Sequence, residues 1–176
     1  MRADFRHRFF AVATLAGFFL AGCAKTSPTP AIPASTPAPT VATLSWPTNY
    51  AAAVSQAKAE HKKILLYFTG SDWCVNCFRL DDEVFSKPAF ADYARDHLVQ
   101  VELDFPIHKE LPDDLTKQNE ALQEKYQVEN LPTLVLLDAD EHELAWIQGY
   151  RGEGLAGLIA EWEHPAPLPA AAKAAP

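Results

Sequence analysis

Basic residues are scarce: 15 lysines and arginines stand against 23 aspartates and glutamates in 176 residues, a formal net charge of −8. Without a cationic surplus little in the chain would displace counterions from phosphates, which argues against non-specific nucleic-acid binding. Long apolar runs are missing as well. The stretch from Phe9 to Leu20 is too short to cross a bilayer as a stable helix. Cysteine is limited to three residues, Cys23, Cys74 and Cys77, an odd number that must be divided by role. No second C-x-x-C and no H-x-x-x-H accompanies Cys74 and Cys77, which leaves a zinc site short of ligands, and no metal is expected. Phe78, not histidine, follows Cys77, so attachment of c-type haem fails. No internal repeat is visible. The glycines of Gly149-Tyr150-Arg151-Gly152-Glu153-Gly154 lack a phosphate-binding strand-to-helix context, which argues against a nucleotide role and leaves them to permit close approach of a substrate.

What is present is enough for one domain. Hydrophobic residues make up 48% of the chain, with 10 Phe, 5 Tyr and 4 Trp, and that excludes wholesale disorder. The 14 prolines are unevenly placed: five fall between Pro28 and Pro39, four between Pro165 and Pro176, and five elsewhere. The folded part is therefore expected at residues 46 to 164, with a disordered Ala/Pro tail at 165 to 176. That folded part holds 10 basic against 22 acidic residues, a net −12.

Arg2, Arg6 and Arg8 precede the apolar run, which closes on Leu20-Ala21-Gly22-Cys23. Basic start, short apolar core and terminal cysteine together resemble the signal of bacterial lipoproteins. The resemblance implies a signal peptide at residues 1 to 22 and a lipidated Cys23 that anchors the chain at a membrane surface. Residues 23 to 45, mostly Ala, Thr, Ser and Pro, then read as an extended tether. Ala24 rather than Asp follows Cys23, a pattern that in Gram-negative lipoproteins implies the outer membrane. The expected location is the periplasmic side of a bacterial cell envelope.

Within 46 to 164, Tyr50, Ala53, Val54 and Ala57 recur at helical spacing, and the apolar run Ile64 to Thr69 is the length of a buried strand. Gly70 and Ser71 break it, and a helix starts near Trp73-Cys74, its apolar side continued by Leu80 and Val84. Pro88 suits the first turn of a second helical piece. Val99, Val101 and Leu103 alternate with Gln100, Glu102 and Asp104, the pattern of a half-buried strand. A helix through Leu115, Leu122 and Tyr126, strands at Leu134–Leu137 and Leu144–Gln148, and a closing helix through Leu155, Leu158, Ile159 and Trp162 complete the order α-β-α-β-α-β-β-α. This is an α/β domain, a central mixed β-sheet flanked by helices.

Cys74-Val75-Asn76-Cys77 follows the buried strand and opens a helix. A thiol at a helix N-terminus is favoured as thiolate by the unpaired N–H groups there, and a second thiol one turn on can reach it. Cys74 can then attack a substrate disulfide, and Cys77 can resolve the mixed disulfide. Trp73 would flank the reactive sulfur. A static disulfide is the alternative, and with it a non-catalytic binding module.

W-C-x-x-C at a strand-to-helix turn, the element order, and Leu131-Pro132-Thr133 before a later strand resemble the thioredoxin superfamily. Phe68 to Cys74, Glu83-Val84-Phe85-Ser86 and Leu103-Asp104-Phe105-Pro106 are similar to a secreted thioredoxin-like branch. The resemblance implies Cys74 as nucleophile and Cys77 as resolving cysteine, a cis bond at Pro132, and a strand-like contact of Leu131 with the substrate chain. It also implies a protein disulfide oxidoreductase without dissociable cofactor, acting on cysteine-containing envelope proteins and recharged by a membrane electron donor. Two positions depart from the family. Tyr67 stands where many thioredoxins hold a buried Asp, so proton transfer falls to water or to an acid such as Asp72. Val75-Asn76 is neither Gly-Pro nor Pro-His. The acids Asp72, Asp81, Asp82 and Glu83, with Arg79 the nearby cation, disfavour the thiolate and lean the reading towards reductase rather than oxidase. The histidines of the folded part read as solvated, and residues 106 to 114 read as a surface insertion rather than a partner-recognition loop.

Overall fold

The apolar run after the first helix becomes the centre of the molecule. A computed structural model describes residues 46–165, and in it β1 (Lys63–Thr69) is buried at every position after Lys63. It lies between two partners in a four-stranded sheet of order β2-β1-β3-β4. Strand β2 (Leu98–Asp104) pairs parallel with β1, while β3 (Thr133–Leu137) and β4 (Glu143–Gln148) continue antiparallel. The sheet is mixed, as expected.

Alternation along β1 divides the core in two. Ile64, Leu66 and Phe68 pack with Ala53 and Ala57 of α1 (Tyr50–Glu60) and Leu122 of α4 (Asp113–Lys125). Leu65 and Tyr67 point the other way, to Cys77 and Leu80 of α2 (Val75–Leu80), Phe90 of α3 (Pro88–His97), and Leu158 and Trp162 of α5 (Gly154–Glu163). A strand covered on both faces needs apolar side chains on both, which is why its sequence runs apolar without a break. Trp46 seals the second layer, its ring 4.8 Å from that of Phe85 and 5.4 Å from that of Tyr67.

One element differs from expectation. The helix after the cysteines does not run on through Val84 as an α-helix. It gives way at Asp81 to a π-helical turn, Asp81–Phe85, closed by Ser86 N–H donating to Asp81 O at 2.8 Å. The wider turn buries both Val84 and Phe85. Residues 1 to 22, 23 to 45 and 166 to 176, with the signal peptide, Cys23, the tether and nearly all of the tail, lie outside the described residues.

Candidate active site

Strand pairing brings four loops to one end of the sheet. Thr69 pairs with Asp104, Phe68 with Thr133, and Thr133 with Gln148. The segments that follow β1, β2 and β4, and the segment that precedes β3, therefore leave the sheet on the same side. They carry Gly70–Cys74, residues 105–112, Leu131–Pro132 and Gly149–Glu153. Clustered loops beyond the carboxyl ends of parallel strands are where α/β folds place their sites.

Cys74 and Cys77 are joined, with Cα atoms 5.2 Å apart and a sequence separation of 3. Cys74 is the N-cap of α2, in extended conformation, and its Sγ accepts a hydrogen bond from Cys77 N–H at 3.2 Å. That N–H belongs to the first turn of the helix and is shared between the sulfur and Cys74 O, at 3.0 Å from the latter, so the positive end of the helix faces Cys74 Sγ. Both cysteines are buried, 5% exposed for Cys74 and 0% for Cys77. Of the pair, only the first meets solvent at all, as a nucleophile followed by a resolving thiol requires.

Trp73 is exposed, and its indole N–H donates to Phe105 O at 2.8 Å. The ring lies over Gly70, where a Cβ would come within 2.6 Å of it. Leu131–Pro132 is cis, and Pro132 O accepts from Gly149 N–H at 2.7 Å, tying two of the four loops together. Leu131 packs against the core cluster that contains both cysteines. Asp72 is engaged elsewhere than with the cysteines. Its carboxylate accepts from Ile107 N–H at 2.9 Å and His108 N–H at 2.7 Å. Burial opposes ionisation there, but these amides, with His108 and Lys109 nearby, hold the carboxyl below the usual range.

The acid on the cysteine side is Asp81. It stands four residues after Cys77, and its backbone N–H bonds to Cys77 O. The hydroxyl of Tyr67 donates to the same carbonyl at 3.4 Å. Burial pushes the Asp81 carboxyl up to about 6, with the nearby Tyr67 hydroxyl pulling the other way. Glu102 on the neighbouring strand is raised too, by burial and then by the charges of Asp104 and Asp81. Sequence reading placed Asp81 among the acids near the motif without separating it from them; its spacing from Cys77 was the available signal. A second group was missed. Arg79 Nε donates to Glu83 Oε1 at 2.7 Å, Tyr150 Oη donates to Glu83 Oε2 at 2.8 Å, and the guanidinium lies 5.5 Å from the Tyr150 ring centre. It fastens the cysteine helix to the Gly149–Glu153 loop. Among the described residues no group of three or more His, Cys, Asp or Glu could hold a metal ion.

A family model described as thioredoxin-like domain matches residues 50–154. The disulfide bond reductase DsbH of Chlamydia pneumoniae is 38% identical over 115 residues, 65% of this chain and 69% of that protein. A solved DsbH oxidoreductase structure shares a TM-score of 0.62 and 34% identity, covering 73% of this chain and 84% of that one. A thioredoxin from Thermus thermophilus, 19% identical with a TM-score of 0.50 over 68% of this chain and 83% of its own, is alike in fold alone.

Proposed function

The chain belongs to the thioredoxin-like domain family, and from that premise we propose that it is a thiol–disulfide oxidoreductase working as a protein disulfide reductase. The observation that carries the reading is the Cys74–Cys77 disulfide set at a helix N-cap, where four loops meet, in a chain similar to a disulfide bond reductase. In the reduced protein the Cys74 thiolate attacks one sulfur of a substrate disulfide. The S–S bond breaks, and the other substrate sulfur leaves as a thiolate and takes a proton. Cys77 then loses its proton, to Asp81 or to water, and its thiolate attacks the Cys74 sulfur. The mixed disulfide breaks, the second substrate thiol is released, and the enzyme is left oxidised as in this structure. Substrate gains two electrons and two protons; a dithiol donor must return them to the enzyme.

The setting we propose is the cell envelope, with Cys23 lipidated and residues 23 to 45 as tether. Substrates are then cysteine-containing envelope proteins, and the donor is a membrane electron carrier. Supporting this are the basic start, the short apolar run and the Leu20-Ala21-Gly22-Cys23 sequence.

A Cys77→Ser variant of the full-length protein, expressed with its own signal, tests the exchange chemistry. Mixed disulfides through Cys74 should accumulate, and the wild type should reduce a test protein disulfide. A variant that traps nothing, with a wild type that reduces nothing, leaves a binding module with a static disulfide. Equilibration with glutathione tests direction: a potential of about −230 to −270 mV fits a reductase, and one near −120 mV an oxidase. Radiolabelled lipid incorporation lost in Cys23→Ser tests the anchor.

A further inference from the structure

Exposed large apolar side chains in the described part are Trp73, Val75, Phe78 and Ile107, at 42%, 75%, 44% and 66% exposure. Three flank the cysteine pair in sequence. The fourth comes from the 105–112 segment, more than thirty residues on, and is held in place. Asp72 receives the amides of Ile107 and His108, and Trp73 donates to Phe105 O, so both residues before Cys74 grip the segment that presents Ile107. An apolar side chain left in water on a segment tied to the two residues before Cys74 marks an interaction surface rather than a loose loop.

The charge around it restricts what can dock. The folded part carries 10 basic against 22 acidic residues. Cations at this end are already engaged: Arg79 by Glu83 at 2.7 Å, Lys109 by Asp104 at 2.8 Å, and Arg151 by Glu161 at 3.2 Å. Asp82 and Glu110 stand exposed. The field at the mouth is negative, and fields of this kind steer association by charge. Oxidised glutathione, with more carboxylates than ammonium groups, is disfavoured.

We infer that Ile107, fastened beside Trp73 by Asp72, forms a second wall of the docking surface, and that the surface takes a protein segment with apolar residues beside its cysteine and basic residues around them. The inference rests on the exchange reading of Cys74 and narrows its substrates.

The test measures binding to the oxidised full-length protein, by Trp fluorescence, of two peptides with Ser in place of Cys, one flanked by Leu and Lys and the other by Ser and Glu. The Leu/Lys peptide should bind at least about tenfold more tightly at low salt, with the advantage shrinking as salt rises. Ile107→Ser should weaken it about fivefold, and Asp72→Ala, which keeps Ile107 but removes both acceptors that hold its segment, should do likewise at high salt as well as low. Equal affinity for the two peptides, or both variants binding as wild type, overturns the inference. Reduction of hydroxyethyl disulfide by the wild type is read separately: failure there sinks the exchange chemistry, while peptide binding still decides the docking surface.

Discussion

At the residue scale the acid one helical turn after Cys77 is the candidate acceptor for its proton. The thioredoxin resemblance left a tyrosine where a buried acid was wanted. The structure has Asp81 reach the same neighbourhood from the helix instead, bonded through its N–H to Cys77 O. A carboxyl pushed up to about 6 is mostly ionised at neutral pH yet more basic than an ordinary aspartate, which suits a base. Resolution should therefore speed up as pH rises through about 6. Asp81→Asn should slow it by about 10- to 100-fold and remove that limb, as read by stopped-flow Trp fluorescence across pH. The same group has a stability consequence of known sign. Its folded value lies above the ordinary one, so it favours the fold where protonated, below about pH 4, and that contribution is lost as pH rises through about 6. Asp81→Asn should stabilise the protein by about 1 kcal/mol at pH 7.5, allowing for solvent screening, and hardly at all at pH 4. Denaturant midpoints at the two pH values check it. A variant equally stabilised at both would place the effect in packing rather than in charge.

At the element scale, the question is what holds the cysteine helix against the sheet end. Gly152 adopts φ +90°, and a Cβ there would collide with the Arg79 guanidinium, the group clamped by Glu83 and Tyr150. Gly152→Ala therefore carries two separable penalties, a left-handed backbone and a displaced clamp. We expect about 2 kcal/mol of destabilisation in the wild-type background and about 1 kcal/mol in Arg79→Ala, where only the backbone penalty remains; a double-mutant cycle on thermal unfolding checks this. The elements themselves were legible because apolar spacing reports burial. The unbroken run of β1, and Leu158 and Trp162 on α5, each gave the period that the core then used. The cysteine pair was legible because its chemistry is local. The π turn was not, since Leu80 and Val84 keep a helical spacing while the backbone widens between them. Nor was the place of Ile107: an Asp72 side chain bonding amides 35 and 36 positions away leaves no periodic trace. Clamps such as Arg79–Glu83–Tyr150 join residues whose types are common on any surface, so only their meeting in space identifies them.

For the whole molecule, direction of electron flow and folding stability are two views of one cycle. The difference in stability between oxidised and reduced folds equals the difference in reducibility between the folded and unfolded pair. A strong oxidant is one whose reduced fold is stabilised, typically through a favoured thiolate. Here Cys74 has a helix N-terminus in its favour. Against it stand Asp72, Asp81, Asp82 and Glu83 close in sequence, and a folded part with 10 basic and 22 acidic residues. Charge on the whole domain thus withholds from the reduced state the gain an oxidase would have. The bridge itself closes a short loop, with a sequence separation of 3. Chain entropy then favours the oxidised fold by at most about 2 kcal/mol, which for a domain of this size is about 5–10 °C. Calorimetry of the full-length protein, oxidised and then reduced under a non-thiol reductant, should give the higher melting temperature to the oxidised form. The margin should narrow in high salt as the acidic field around Cys74 is screened. The opposite order, with the reduced protein melting higher, would mean that the thiolate is stabilised despite its acidic surroundings, and the reductase reading would give way to an oxidase.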